Sequence, residues 1–127
     1  MGLVSKKSFG VDKHILIAND SYLVSLPVVV GNSTVSADSN GRKILKAGTP
    51  LDGDITQRAT AFTKTAGTTP VGVLLHDVDV TDGNANGTLV IAGCVDLLKM
   101  DSDVQALYTS TATAAMPRII AVKGSAI

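Results

Sequence analysis

The residues best suited to chemistry are the carboxylates of one short segment, HDVDVTD, at residues 76–82. If this segment is a strand, Asp77 and Asp79 lie on one face, where two carboxylates could exchange protons with a substrate or hold a metal ion. His76 would then point to the opposite face. The pattern favours a simpler interpretation, in which both aspartates mark the end of a strand and the start of a turn.

The next segment, DGNANG at residues 82–87, begins like the calcium loop of an EF-hand, with oxygen ligands at alternate positions and then a glycine. The twelfth position of such a loop needs a bidentate carboxylate, and here it is Gly93. The flanking segments are rich in β-branched residues, which favour strands rather than helices. We therefore predict a hairpin connection and no metal site. The residues expected to supply positive φ angles are Gly83, Asn84, Asn86 and Gly87.

Composition favours a small protein that associates with a partner. The chain has 127 residues, of which 45% are hydrophobic, but it has no tryptophan and only two tyrosines and two phenylalanines. One domain with a thin aliphatic core is expected, and such a core gains from association with a partner. Eleven basic residues balance eleven acidic ones, so neither nucleic acid nor an anionic membrane is an expected partner.

Two further features narrow the class. Cys94 is the chain's single cysteine, which excludes an internal disulfide, and its apolar context, VIAGCV, predicts a small buried side chain. The apolar stretch at residues 15–30 is interrupted by Asn19, Asp20 and Pro27. We therefore expect neither a signal peptide nor a membrane span.

The order of elements is that of a β protein. Residues 1–21 are of mixed polarity and predict an extended arm, and residues 22–127 predict one domain. Strand signals occur in the segments YLVSLPVVV, RATAFTKT, VGVLL, TLVIAG and RIIAV, with VGVLL and TLVIAG as the central strands. Pro27 predicts an edge strand or two short strands. A hairpin turn is expected at Asn40 and Gly41.

One helix is predicted near the C-terminus, over DSDVQALYTSTATA. Asp101 or Ser102 can cap it, and Val104, Leu107 and Tyr108 fall on one face at helical spacing. Pro117 must end it.

Four segments in this order are similar to one known family. They are DKHILIANDSYLV, LKAGTPL, PVGVLLHDVDVTDG and GTLVIAGCVDLLKM, and the similarity is strongest over residues 44–98. The chain resembles the bacteriophage head decoration proteins of the family that includes phage lambda protein D.

The resemblance implies a mainly β, compact, β-tulip-like domain with an extended N-terminal arm. It also implies a homotrimer on the outer surface of the phage head, at local threefold axes, with the arm contacting the major capsid protein. Such a protein is made in the host cytoplasm, resides in the virion, needs no cofactor and is not an enzyme. The expected capsid-binding residues of the arm are Phe9, Val11, His14, Ile15, Leu16 and Ile17.

The backbone of HILIA can pair with an exposed strand edge on a capsid, and the arm of the free protein is expected to be mobile or loosely docked. Two alternatives remain. One is the base domain of a head fibre or tail appendage, although a fibre base would normally continue into a longer shaft. The other is a small metal-dependent hydrolase that uses Asp77, Asp79 and Asp82, with His76 as their only plausible basic partner.

Overall fold

A computed structural model describes residues 15–18 and 23–123, except for the side chains of residues 17 and 18. The described residues form nine strands and three short helical segments. The strands are β1 (Leu16–Ala18), β2 (Val24–Val30), β3 (Ile44–Leu45), β4 (Pro50–Asp52), β5 (Thr63–Lys64), β6 (Gly72–Leu74), β7 (Val78–Asp79), β8 (Ala85–Asp96) and β9 (Ile119–Val122). The helical segments are a 3₁₀ turn (Leu97–Lys99), α1 (Ser102–Gln105) and α2 (Ser110–Ala115). The predicted mainly β fold is confirmed.

Strand β8 organises the sheet. It has twelve residues, twice the length of an ordinary strand. Residues 89 and 90 lie between β2 and β6, which are both antiparallel to β8. Residues 94 and 95 lie between antiparallel β1 and parallel β9. The predicted central strands, VGVLL and TLVIAG, are therefore confirmed as β6 and β8.

Five strands, in the order β2-β8-β6-β4-β5, close into a small barrel. The closing contact is made by Phe62, directly before β5. Its N–H donates to the carbonyl of Val29 at 2.8 Å, and its carbonyl accepts from the N–H of Gly31 at 2.8 Å. Because strands that pair on both sides have no free backbone groups, closure protects most of the barrel from edge pairing.

Two hydrophobic clusters lie on opposite sides of β6 and β8. The barrel core contains Val28, Val30, Leu45, Leu51, Phe62, Leu74, Val78, Val80 and Leu89. The end core contains Ile15, Ala47, Val73, Val90, Val95, Met100, Val104, Met116 and Ile119. Successive residues of each strand enter opposite cores, Val73 and Leu74 on β6 and Leu89 and Val90 on β8. Burial on both faces explains why these strands are apolar runs without alternation.

The N-terminal arm is part of this fold where it is described. Ile15 is fully buried in the end core, its carbonyl accepts from the N–H of Asp96 at 2.8 Å, and Leu16 pairs with Val95. The prediction of a loosely docked arm is therefore wrong for residues 15–18, because the domain offers both a strand edge and an apolar site for Ile15. Phe9, Val11 and His14 lie outside the described residues.

Pro27 lies within a single strand, β2, opposite Thr88. The carbonyl of Thr88 accepts from the N–H of Leu75, so the backbone groups of Thr88 face β6. Strand β8 therefore needs no N–H from Pro27 at this position. The carbonyl of Pro27 instead accepts from the Arg58 guanidinium at 3.0 Å. Of the two predicted alternatives, an edge strand or two short strands, the division does not occur, and among the described residues β2 pairs with one strand, β8, and makes a single bridge to Phe62.

The predicted C-terminal helix is divided in two. Val104 is buried as expected, but the helix ends after Gln105, and Thr109 begins a new one by accepting from the N–H of Ala112 with its side chain. The threonine side chain competes for backbone hydrogen bonds and so favours a cap over a helix interior. The last predicted strand, RIIAV, is confirmed as β9.

Two smaller predictions need correction. The turn at Asn40 and Gly41 is present, with Gly41 at a φ of +79°. The residues directly before it form a loop and not the predicted strand, because the Asp38 carboxylate accepts from the N–H groups of Asn40 and Arg42. These hydrogen bonds, led by that of Arg42, lower the pKa of Asp38. Cys94 is half-buried rather than fully buried.

Substitution Phe62→Ala should remove the one aromatic side chain that the described residues place in the barrel core. We expect the free energy of unfolding to fall by about 3–5 kcal/mol, as for other large-to-small core substitutions. Denaturant unfolding at one fixed protein concentration measures this. Val24→Ala, at a side chain that is 44% exposed, is the control and should change stability by less than about 1 kcal/mol. Equal losses in both variants would contradict the proposed role of Phe62.

Candidate functional site

The carboxylates of Asp77 and Asp79, which were candidates for acid–base chemistry, accept hydrogen bonds from backbone N–H groups. Asp77 Oδ1 accepts from the N–H of Ala47 at 2.7 Å, which joins the end of β6 to the segment before β4. Asp79 Oδ1 accepts from Thr81 twice, from its hydroxyl at 2.5 Å and its N–H at 2.9 Å. The hydroxyl contact is the main reason why the pKa of Asp79 is lowered. The aspartates mark a strand end and a turn, as the simpler interpretation predicted.

The arrangement gives no support to a shared acid–base or metal site. Asp79 also forms an ion pair with Arg42, while His76 and Asp82 are exposed. Within residues 15–18 and 23–123, no group of three histidine, cysteine or acidic side chains is placed to hold a metal ion.

The DGNANG segment is a turn followed directly by a strand. Gly83 has a φ of +135°, whereas residues 85–87 already belong to β8 and pair with β2. Positive φ was therefore predicted wrongly for Asn84, Asn86 and Gly87. The Asn84 side-chain oxygen accepts from the N–H of Asn32 at 3.2 Å, which fixes the start of β8 to the end of β2.

A polar groove of about 350 Å³ lies beside β3 and α1. Its walls include apolar side chains of both elements, such as Ile44 and Val104. One of its cations, Lys46, has its Nζ 3.2 Å from Asp101 Oδ2 and 3.1 Å from Asp103 Oδ2. These pairs attach α1 to the segment between β3 and β4, and the Asp103 contact raises the pKa of Lys46. Lys46 therefore has a structural role, since its ammonium group links two segments of the chain.

An apolar hollow of about 340 Å³ lies where β6, β8 and the segment before β9 meet. It is lined by Ile55, Val71, Ile91, Ala115, Met116, Pro117 and Arg118. Beyond it, along β9 and at the end of β8, Ile120 is 60% exposed and Leu98 is 56% exposed. We call the hollow together with Ile120 and Leu98 the β9 surface. An apolar hollow and large exposed apolar side chains are features typical of interaction sites.

The β9 surface was not predicted from the sequence. Its residues come from five separate segments of the chain, and Ile120 belongs to RIIAV, which was identified only as a strand. The available signal was the pair of consecutive isoleucines: Ile119 is buried, so the next residue of the strand must point away from the core.

Tyr108 connects the helical region to the barrel. Its hydroxyl donates to the carbonyl of Gly48, and burial raises its pKa above the ordinary tyrosine value. Gly48 has a φ of +91°, and a side chain there would collide with Met100. This close contact explains the glycine of the AGTPL motif.

No helix among the described residues is long and apolar enough to cross a membrane.

Tyr108→Phe should lower the free energy of unfolding by about 0.5–1.5 kcal/mol at neutral pH, because the Gly48 carbonyl loses its partner. A raised pKa in the folded state means that the stabilisation is present below the tyrosine pKa of the unfolded chain and is lost as pH rises above about 10. The wild-type protein should therefore lose more stability than the variant in alkaline solution. Denaturant unfolding as a function of pH tests this, and parallel pH profiles would contradict it.

Calcium at millimolar concentration should leave the thermal midpoint unchanged, because the turn at Gly83 offers only part of a calcium ligand set. Differential scanning calorimetry with calcium and with a chelator is the measurement. A rise of several degrees that Asp82→Ala abolishes would show that the segment is a metal site after all.

Comparison with known proteins does not assign the chain to a family. No family profile matches the sequence, and no curated protein matches it significantly.

Proposed function

We propose that this protein is a phage head decoration protein, which binds the outer surface of the capsid as trimers and stabilises the shell. The observation that carries the proposal is the contrast between its charges and its apolar residues. Lys46 of the polar groove is paired within the chain with Asp101 and Asp103, whereas Ile120 and Leu98 of the β9 surface are exposed apolar side chains. Such a molecule is suited to association.

The placement of β1 supports a role for the N-terminal segment as an anchor. Ile15 is held in the end core and β1 is paired with β8, so residues 1–14 are attached to a rigid base. Fully extended, such a segment reaches on the order of 45 Å, the scale of a capsid subunit. Phe9, Val11 and His14 remain its proposed capsid contacts. Ile15 instead acts as the anchor's fixed end.

The alternatives differ in their support. A metal-dependent hydrolase would need Asp77, Asp79 and Asp82 together, and Asp77 and Asp79 are bound to separate parts of the backbone. A base domain of a head fibre or tail appendage would also be a trimer. Its position on the particle would distinguish it from a decoration protein.

Binding to purified phage heads tests the proposal directly. The protein should sediment with intact heads, be released when they are disrupted, and occupy threefold positions in images of decorated heads. Isolated monomers, fivefold clusters or attachment only at the tail would overturn it.

Two N-terminal deletions separate anchoring from folding. Removing residues 2–13 should leave the thermal midpoint unchanged and weaken attachment to heads at least about tenfold, because the arm's contacts are lost. Removing residues 2–17 should also lower the free energy of unfolding by about 2–5 kcal/mol, since Ile15 leaves the end core.

Full-length Ile15→Ala is the matched control. This variant should have a lower free energy of unfolding, and its folded fraction should bind heads with the affinity of the full chain. If the protein without residues 2–13 binds heads as tightly as the full chain, the contact lies on the domain and the arm is not the anchor.

A further inference from the structure

We propose that the β9 surface is the contact between copies of this chain, with Leu98 of one copy seated in the apolar hollow of the next. The number of copies, three, rests on the proposed function. The contact itself rests on the geometry of the surface.

The β9 surface has a concave end and a projecting end. The hollow lies at the start of β9, where Pro117 and Arg118 precede the strand. Leu98 projects at the other end, two residues after Asp96, which pairs with the last residue of β9. Ile120 lies between them. A strand of this length covers about 10–13 Å, so the two ends are separate parts of one surface.

The hollow is large enough for an aliphatic side chain. Its volume of about 340 Å³ exceeds the roughly 150 Å³ that accommodates a benzene molecule in an apolar cavity. Its lining is mainly aliphatic, so seating Leu98 there would remove apolar area from water on both sides of the contact. Burying a leucine side chain contributes about 1.5–3 kcal/mol.

Charges near the two ends are complementary. Asp54 adjoins the hollow residue Ile55 and is fully exposed, while Lys99 follows Leu98 and is exposed. A contact that seats Leu98 in the hollow therefore brings Lys99 of one copy towards Asp54 of the next, which favours this orientation.

The arm and the β9 surface do not compete for space. Residues 94 and 95 of β8 lie between β1 and β9, so the strand that holds the arm and the strand of the copy contact are on opposite edges of β8. Because the projecting and concave ends differ, one copy can use both at once, which is the requirement for a closed ring.

Substitution Leu98→Asp tests the contact. Leu98 is 56% exposed, so the substitution should leave the folding stability of a single copy unchanged. Sedimentation equilibrium of the full chain should show trimers for the wild-type protein and at least about a hundredfold weaker association for the variant. Val24→Asp is the matched control, because Val24 is 44% exposed on β2, at the opposite edge of β8 from β6, and should leave association unchanged.

Cysteine cross-linking locates the contact. The double variant Leu98→Cys with Ala115→Cys should form disulfide-linked oligomers under mild oxidation, whereas each single variant should not form them to the same extent. A wild-type chain that stays monomeric at high concentration, or a trimer that Leu98→Asp does not weaken, would overturn the inference. The second result would leave the proposed function intact. A dimer that Leu98→Asp dissociates would support the contact and contradict the threefold arrangement.

Discussion

The burial of β8 on both faces is the constraint on which the rest of the structure depends. Leu89 enters the barrel core and Val90 enters the end core. A strand in this position needs apolar layers on two sides and hydrogen-bonding partners on both edges, since unpaired backbone groups are unfavourable in an apolar interior. The chain meets both needs with short elements from its whole length, and β1, β2, β6 and β9 all pair with β8.

The length of β8 also divides the molecule by function. Its first half is enclosed in the barrel, where Phe62 closes the ring of strands and leaves little backbone available to partners. Its second half extends beyond the barrel and carries β1 on one edge and β9 on the other. In the proposed function these two edges hold the two contacts of the protein, with the capsid through the arm and with other copies through the β9 surface.

The features of the fold that could be predicted from the sequence are those that depend on a local pattern. The apolar runs of β6 and β8 and the turn at Gly83 follow from β-branched residues and from turn residues that need few distant contacts. The separate roles of Asp77 and Asp79 also followed the simpler interpretation. The division of the helix was not predicted, because Val104, Leu107 and Tyr108 follow helical spacing in the sequence. The side-chain cap of Thr109 and the contact of Tyr108 with Gly48 are evident only in the structure.

By itself, the sequence determined a mainly β domain with an aliphatic interior, a balanced net charge and no recognisable catalytic motif. These properties depend on composition and short-range pattern. Only the tertiary structure decided that Ile15 belongs to the core and that Ile55, Ile120 and Leu98 remain exposed. Whether an apolar residue is buried depends on which distant strand pairs beside it, and that choice is made by the whole chain.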